Sequence, residues 1–245
     1  MDAMSRASRT IGVLIVIQMV GGTLVNFVLE SPLFGKPGFL ANAASHSQQI
    51  ALGALLGIVI EALWVGIAIT AFPIFQRARP LALWFFALAA VILAVAVVES
   101  AAVMSMVTVS EAYAKASAVE RAQLETVRVL VASARNWAHF LARMVDGVAI
   151  LVFYAALYRL VLIPRALAGF GLIAAVLQII SVAMPLFGHD VVFPMLAPLG
   201  LSQLIVAVLL MVRGFRVEAH TGTEPSDPLT TPQFEGAGDE APKEH

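Results

Sequence analysis

The feature that most constrains this chain is a series of long apolar runs that contain very few charged residues. Each run is about 20 residues or longer, which is the length an α-helix needs to cross the roughly 30 Å hydrocarbon core of a bilayer. The chain is 60% hydrophobic and 13% charged, whereas soluble domains carry about 25% charged residues. We therefore predict an all-α polytopic transmembrane helical bundle of about six spans, with the lipid bilayer as its surroundings. The predicted spans are residues 11–29, 48–75, 81–107, 137–162, 167–187 and 191–212.

The chain divides into a membrane domain and a polar end. Residues 1–216 hold all six predicted spans, whereas residues 217–245 are rich in Thr, Pro, Gly and acidic residues. Such a composition buries too little apolar surface to offset the entropy of ordering, so we predict a disordered C-terminal tail. A cleavable signal peptide is a rival interpretation of the first run, but that run is too long and the small-residue sequence Ala41-Asn42-Ala43 lies too far along the chain.

Composition and motifs argue against several functions. The chain has no cysteine, which excludes disulfides, thiolate metal sites and cysteine nucleophiles, and its net charge of -1 does not indicate a nucleic-acid partner. It contains no Gly-x-Ser-x-Gly elbow, P-loop or dinucleotide fingerprint, and no lysine lies within a span. We expect no cofactor, and an enzyme is less expected than a binding or transport protein.

Basic residues in the short flanks of the spans predict the orientation. Cytoplasmic flanks carry an excess of arginine and lysine, and the two sides here hold eight against five. Both termini are therefore expected in the cytoplasm. The larger group is Arg6, Arg9, Arg77, Arg79, Arg159, Arg165, Arg213 and Arg216; the smaller is Lys36, Lys115, Arg121, Arg128 and Arg135.

The longest charged connection, residues 108–135, contains a helix-start signal. Ser117 and Glu120 have the spacing of a capping box, in which each side chain satisfies a free backbone amide of the first turn. The sequence predicts a helix from that point. It leaves open whether this helix lies on the membrane surface or extends the fourth span outward.

Four ionisable residues fall within the predicted spans: Glu61, Glu99, Arg143 and Asp146. An ionised group at the bilayer centre costs about 2.5–3.5 kcal/mol on insertion scales, so each is expected to face protein or water. Glu61 is predicted near mid-bilayer and Glu99 in the outer half.

The fourth span carries a polar stripe, because Asn136, His139, Arg143 and Asp146 follow one another at steps of three and four residues. The predicted depths allow an ion pair between Arg143 and Glu99 and an approach of Asp146 to Glu61. We interpret the pair first as a structural contact that fixes helix register, and alternatively as part of a proton-coupled or anion-binding site. A weaker alternative is a metal site of His46, His139 and Glu99, the donor types that zinc uses.

The turn between the fourth and fifth spans carries a resemblance to a known family. Its sequence runs Tyr158-Arg159-Leu160-Val161-Leu162-Ile163-Pro164-Arg165-Ala166-Leu167-Ala168-Gly169, and the first span opens with Arg9-Thr10-Ile11-Gly12. These two segments resemble the uncharacterised bacterial family called domain of unknown function 4386, over roughly residues 9–215. The Ser-Gly that often precedes the Pro-Arg turn is replaced here by Val161 and Leu162. The resemblance implies a six-helix protein of a bacterial cytoplasmic membrane, and it implies no substrate, cofactor or catalytic residue.

These observations support three functional hypotheses. The first is binding or transport of a small molecule or ion through an outward-opening polar cleft between spans two, three and four. In it Glu61 or Asp146 exchanges a proton, Arg143 holds an anionic group and His139 gates the mouth. The second is a non-catalytic scaffold or regulatory subunit for a partner membrane protein, or a homo-oligomer. The third is an intramembrane metalloenzyme built on the weak metal site.

Overall fold

The structure is a computed structural model that describes residues 3–216, so the predicted tail lies outside the described residues. The described chain is mostly helical and forms no strand. Its helices are α1 (Ala3–Leu24, continued by a π-helical turn over Val25–Leu29), α2 (Ser31–Phe34), α3 (Phe39–Asn42), α4 (Ser47–Phe75), α5 (Arg79–Lys115), α6 (Ala118–Arg159), α7 (Arg165–Ala183) and α8 (Ala197–Val212).

Five continuous helical segments of the described chain are long and apolar enough to cross a membrane. One of them, Ala44–Lys115, contains both α4 and α5 with a tight 3-10 turn between them, so the long helices are α1, α4, α5, α6, α7 and α8. Pro80 lies in the first turn of α5, where its missing N–H costs no helical hydrogen bond. The prediction of an all-α polytopic bundle is confirmed.

The six long helices form a closed ring. Each packs against the next in chain order, from α1 through α4, α5, α6 and α7 to α8, and α8 packs against α1. Gly12 makes the closure possible, because a Cβ atom there would lie 2.7 Å from the carbonyl oxygen of Ala207. Since successive helices are antiparallel neighbours, alternate connections gather at the same end of the ring.

The two ends of the ring differ in composition. One end, here called the arginine end, holds the α4–α5 turn, the α6–α7 turn, the start of α1 and the end of α8. All eight arginines that the sequence placed on one side lie in these segments, so their grouping is as predicted. The opposite end, here called the loop end, holds residues 30–46, Ala116 and Ser117, and residues 184–196.

Helices α5 and α6 extend beyond the rest of the bundle at the loop end. α6 has 42 residues and is therefore about 63 Å long at 1.5 Å per residue, twice the thickness of the hydrocarbon core. The predicted capping box starts it: Glu120 Oε2 accepts a hydrogen bond from the Ser117 amide at 2.7 Å, and Ser117 Oγ accepts one from the Glu120 amide. The predicted helix thus extends span four and does not lie separately on the membrane.

Apolar packing divides the bundle into two clusters. The larger lies toward the arginine end and includes Trp64 on α4, Phe85 on α5 and Tyr154 on α6. The smaller lies at the loop end and includes Ile50 on α4 and Val103 on α5. The ionisable residues of α4, α5 and α6 fall between these positions along each helix, so they form a polar layer with an apolar cluster on either side.

Candidate functional site

The centre of the polar layer is a contact between α4 and α6 across the ring. Arg143 Nη2 on α6 donates a hydrogen bond to Glu61 Oε1 on α4 at 2.5 Å, and Arg143 Nη1 lies 3.5 Å from Asp146 Oδ2. The side chains of Arg143, Glu61 and Asp146 are 29%, 13% and 9% exposed. The predicted approach of Glu61 to Asp146 is therefore present, with the guanidinium between the two carboxylates.

A second group of charges lies nearer the loop end. Glu99 Oε1 on α5 is 2.7 Å from His139 Nδ1 and 3.5 Å from Arg135 Nη2. Arg135 also donates a hydrogen bond of 3.2 Å to Glu30, which follows the π-helical turn, and its guanidinium stacks 4.7 Å from the ring of Phe34. Arg135 and Glu30 are both buried.

The ion pair that the predicted depths allowed between Arg143 and Glu99 does not form. Glu99 lies 20 residues from the start of α5 and His139 lies 20 residues from the end of α6, so both are about 30 Å from the arginine end at 1.5 Å per residue. Arg143 and Glu61 lie about 24 and 21 Å from that end by the same measure. Glu99 therefore pairs one helical turn away from Arg143, with His139 and Arg135.

The polar stripe of α6 begins one residue earlier than predicted. Asn136 is exposed, whereas Arg135 is buried and precedes His139 and Arg143 at steps of four. The four-residue spacing of Arg135, His139 and Arg143 is visible in the sequence, but Arg135 falls at the end of the charged connection predicted over residues 108–135. Glu30 had no such signal, because it approaches the site through the close packing of residues 29–30 on Gly53, where a Cβ atom would lie 3.0 Å from Leu29.

Two cavities border the central charges. A cavity of about 350 Å³ lies between α1, α4, α6 and α8. Its polar lining comprises Gln18, Thr23, Asn26, Glu61, His139, Arg143, Asp146 and Gln203, and its apolar wall includes Phe27 and Trp64. A second cavity of about 280 Å³ lies on the α7 side of α6, where His139, Arg143, Asp146 and Gln178 face Val191 and Phe193.

The position of the larger cavity corrects the predicted cleft. The cleft was expected between spans two, three and four, but spans one and six form two of the walls because the ring closes α8 onto α1. Span three does not line the larger cavity. Its residues Glu99 and Ser100 line a separate, smaller space of about 40 Å³ beside Glu30. Gln18, Asn26 and Gln203 of spans one and six also border the larger cavity.

Several polar atoms of the layer are buried and have no hydrogen-bond partner among the described residues. They are Glu61 Oε2, Trp64 Nε1, Arg135 Nε, Arg143 Nε and Asp146 Oδ1. Trp64 and Gln178 flank the carboxylate of Asp146, and Gln178 donates to the backbone carbonyl of Arg143 at 3.4 Å. Buried polar groups without partners are rare in folded proteins. The carboxylate oxygens of Glu61 and Asp146 can bind a proton or a cation, whereas the N–H groups can only donate to an acceptor on a polar ligand.

The charges of the layer do not balance. Glu30, Glu61, Glu99 and Asp146 supply four carboxylates, against the two guanidinium groups of Arg135 and Arg143. With His139 neutral the layer carries two excess negative charges when every carboxyl is ionised, and with His139 protonated it carries one. A net negative charge in a low-dielectric region favours bound cations or protons.

The alternative metal site is overturned. His46 lies in the connection before α4, and its Nδ1 is 2.9 Å from the carbonyl oxygen of Asn42 and 3.0 Å from Ser45 Oγ. Glu99 and His139 are paired deeper in the bundle. Within residues 3–216, no three His, Asp or Glu residues are arranged to hold a metal ion.

The fold and the site together define an all-α polytopic bundle whose apolar helices suit a membrane and surround a buried layer of charge. The family model for "Domain of unknown function (DUF4386)" matches residues 10–214. The chain belongs to this family, as the resemblance predicted. Comparison with curated proteins and with solved structures found no match.

Proposed function

We propose that the protein binds a small molecule or ion in the cavity beside Glu61, Arg143 and Asp146, and that it transports or senses this ligand across the membrane. The observation that carries the proposal is the contact of this charged triad with a 350 Å³ cavity walled by α1, α4, α6 and α8. Ionisable groups at this depth are expensive, and they usually mark an ion or substrate path. The volume matches the lower range of small-molecule pockets.

The charge balance favours a cation or a proton as the ligand. Arg143 contacts two carboxylates, so its guanidinium is already more than neutralised. We therefore assign Arg143 the role of positioning Glu61 and Asp146, in place of the anion-holding role expected from the sequence. Trp64 and Phe27 add aromatic faces to the cavity wall, which attract organic cations such as amines.

Proton exchange fits the same geometry. Glu61 and Asp146 contact one guanidinium beside the cavity, so a proton on either carboxyl group would replace the charge of a departing cation. The pair of Glu99 and His139 lies between this site and the loop end, where it suits a gate. We place the arginine end in the cytoplasm and, following the family resemblance, the protein in a bacterial cytoplasmic membrane.

A scaffold that binds a partner protein is the second candidate. Val119, Val129 and Leu130 lie on the projecting part of α6, and they are 74%, 61% and 71% exposed. This segment extends past the length needed to span the membrane, so lipid acyl chains would not cover it. A partner protein that co-purifies in a fixed ratio, and is lost on charge substitution of Leu130, would favour this role.

The test of the first proposal is thermal stability of the detergent-purified protein across a panel of ions and metabolites. Wild type is compared with Glu61→Gln, Asp146→Asn and the control Glu125→Gln, whose carboxylate is in an exposed ion pair. A ligand at 100 times its Kd stabilises a protein by about 2.7 kcal/mol. Stabilisation of wild type and the control by a cation, reduced in the other two variants, is expected. Stabilisation by anions alone would contradict the proposal that the ligand is a cation. If no compound stabilises the protein, the scaffold role is favoured.

A further inference from the structure

A basic pocket lies at the arginine end, separated from the polar layer by the larger apolar cluster. It has a volume of about 230 Å³ and combines two arginines with an apolar wall. Its lining residues are Met4, Pro73, Ile74, Arg77, Leu160, Leu162 and Arg216. We propose that this pocket binds the phosphate group of an anionic phospholipid, with the first part of an acyl chain against the apolar wall.

The fold fixes Arg216 in this pocket. Gly214 adopts a φ of 73°, a left-handed conformation that glycine reaches without strain, and it turns the chain back after α8. Phe215 is then buried in the main core, and the amide of Arg216 donates a hydrogen bond of 2.9 Å to the carbonyl of Leu162. Arg216 is thereby held against the α6–α7 turn, and it lines the same pocket as Arg77 of the α4–α5 turn.

The described segments of this end carry basic side chains and no acidic ones. Each described acidic residue lies in the polar layer, on the parts of α5 and α6 that project at the loop end, or in a loop-end connection. None lies in the described segments of the arginine end. Arg77 and Arg216 are exposed, and neither has an ion pair among the described residues. Two cationic side chains lining one concave site are suited to the oxygens of a single phosphate.

The apolar wall distinguishes a lipid from a soluble anion. Five of the seven lining residues are apolar, and they come from the start of α1, the last turn of α4 and the α6–α7 turn. At such helix ends lipid headgroups meet the hydrocarbon core. Basic pockets between transmembrane helices at the cytoplasmic surface are a known form of anionic-lipid site. Free phosphate would use the arginines but would gain nothing from Ile74, Leu160 or Leu162.

The experiment compares two double variants that lose the same charge. Arg77→Gln/Arg216→Gln removes both pocket arginines and keeps the backbone bond of residue 216. The control, Arg79→Gln/Arg165→Gln, removes two arginines of the same end that do not line this pocket. Binding of phosphatidylglycerol, phosphatidylcholine and inorganic phosphate is measured by native mass spectrometry and by the shift in Tm in detergent, on samples that unfold cooperatively.

We expect phosphatidylglycerol to bind wild type and the control at least tenfold more tightly than it binds the pocket variant, and phosphatidylcholine to bind all three weakly and alike. Equal losses in the two double variants would overturn the proposal, because they would indicate diffuse surface charge. A Tm shift from inorganic phosphate as large as that from phosphatidylglycerol would also overturn it, since the site would then be one for a soluble anion.

Discussion

Arg143 on α6 bonds to Glu61 on α4 across the centre of the helical ring, although α4 and α6 are separated by α5 in the sequence of packed neighbours. Asp146 lies on the other side of the same guanidinium, one turn along α6. This bridge joins the two halves of the ring at the level of the larger cavity. It therefore links the stability of the bundle to the charge state of the proposed site.

The first prediction concerns the loss of Arg143. Arg143→Ala would leave Glu61 and Asp146 close together and without their cation, and removing one partner of a buried ion pair costs about 3–5 kcal/mol. We expect a correspondingly large loss in unfolding free energy, measured by denaturant titration of the detergent-purified protein at neutral pH.

The matched variant for this prediction is Arg143→Ala/Glu61→Gln, which removes the cation and one negative charge together. It should recover part of the stability that the single variant loses, because one carboxylate no longer faces another. An Arg143→Ala protein as stable as wild type, or a double variant less stable than the single one, would show that the bridge contributes little.

The second prediction compares two arginines of α6. Arg135 is buried and contacts Glu30 and Glu99, whereas Arg128 forms an exposed pair with Glu125. Arg135→Gln should cost several kcal/mol because it leaves the buried Glu30 without a cation and Glu99 with His139 alone, and Arg128→Gln should cost about 0–1 kcal/mol. Similar Tm values for the two variants would contradict the assignment of Arg135 to the polar layer.

Local patterns in the sequence predict the long elements of this fold. Apolar run length predicts the spans, and the capping box at Ser117 predicts the start of α6. Each of these signals depends on residues close together in the chain, so no knowledge of the packing is needed.

Local patterns in the sequence could not predict which charged side chains pair with each other. Depth estimates from predicted span ends placed Arg143 beside Glu99, because at the arginine end α5 begins two residues before the predicted span 81–107 and α6 ends three residues before the end of the predicted span 137–162. The cavity was misplaced for a related reason: closure of α8 onto α1 depends on small residues such as Gly12 meeting Ala207, a long-range contact. The candidate residues were found, but their partners depend on tertiary packing.

The third prediction tests the packing that holds α6 and α7 together. A Cβ atom at Gly171 would lie 2.1 Å from the ring of Tyr154, and that ring is buried and held by a 2.8 Å hydrogen bond between Tyr154 and Ser202. Gly171→Ala should therefore destabilise the protein by about 1–3 kcal/mol, as overpacking does. Gly169→Ala, where a Cβ atom meets nothing within 4 Å, should be neutral or stabilising. Thermal unfolding of both variants tests this, and equal Tm values would show that α7 does not pack on Tyr154 this closely.

The fourth prediction concerns orientation, and the absence of cysteine makes it direct to test. Gln76→Cys introduces an exposed thiol at the arginine end, and Ala118→Cys introduces one at the loop end while keeping the Ser117 cap. Because an excess of arginine marks the cytoplasmic side, a membrane-impermeant maleimide added to intact cells should label Ala118→Cys and leave Gln76→Cys unlabelled until the membrane is permeabilised. The reverse pattern would place the termini outside, and the anionic-lipid pocket and the mouth near His139 would exchange sides of the membrane.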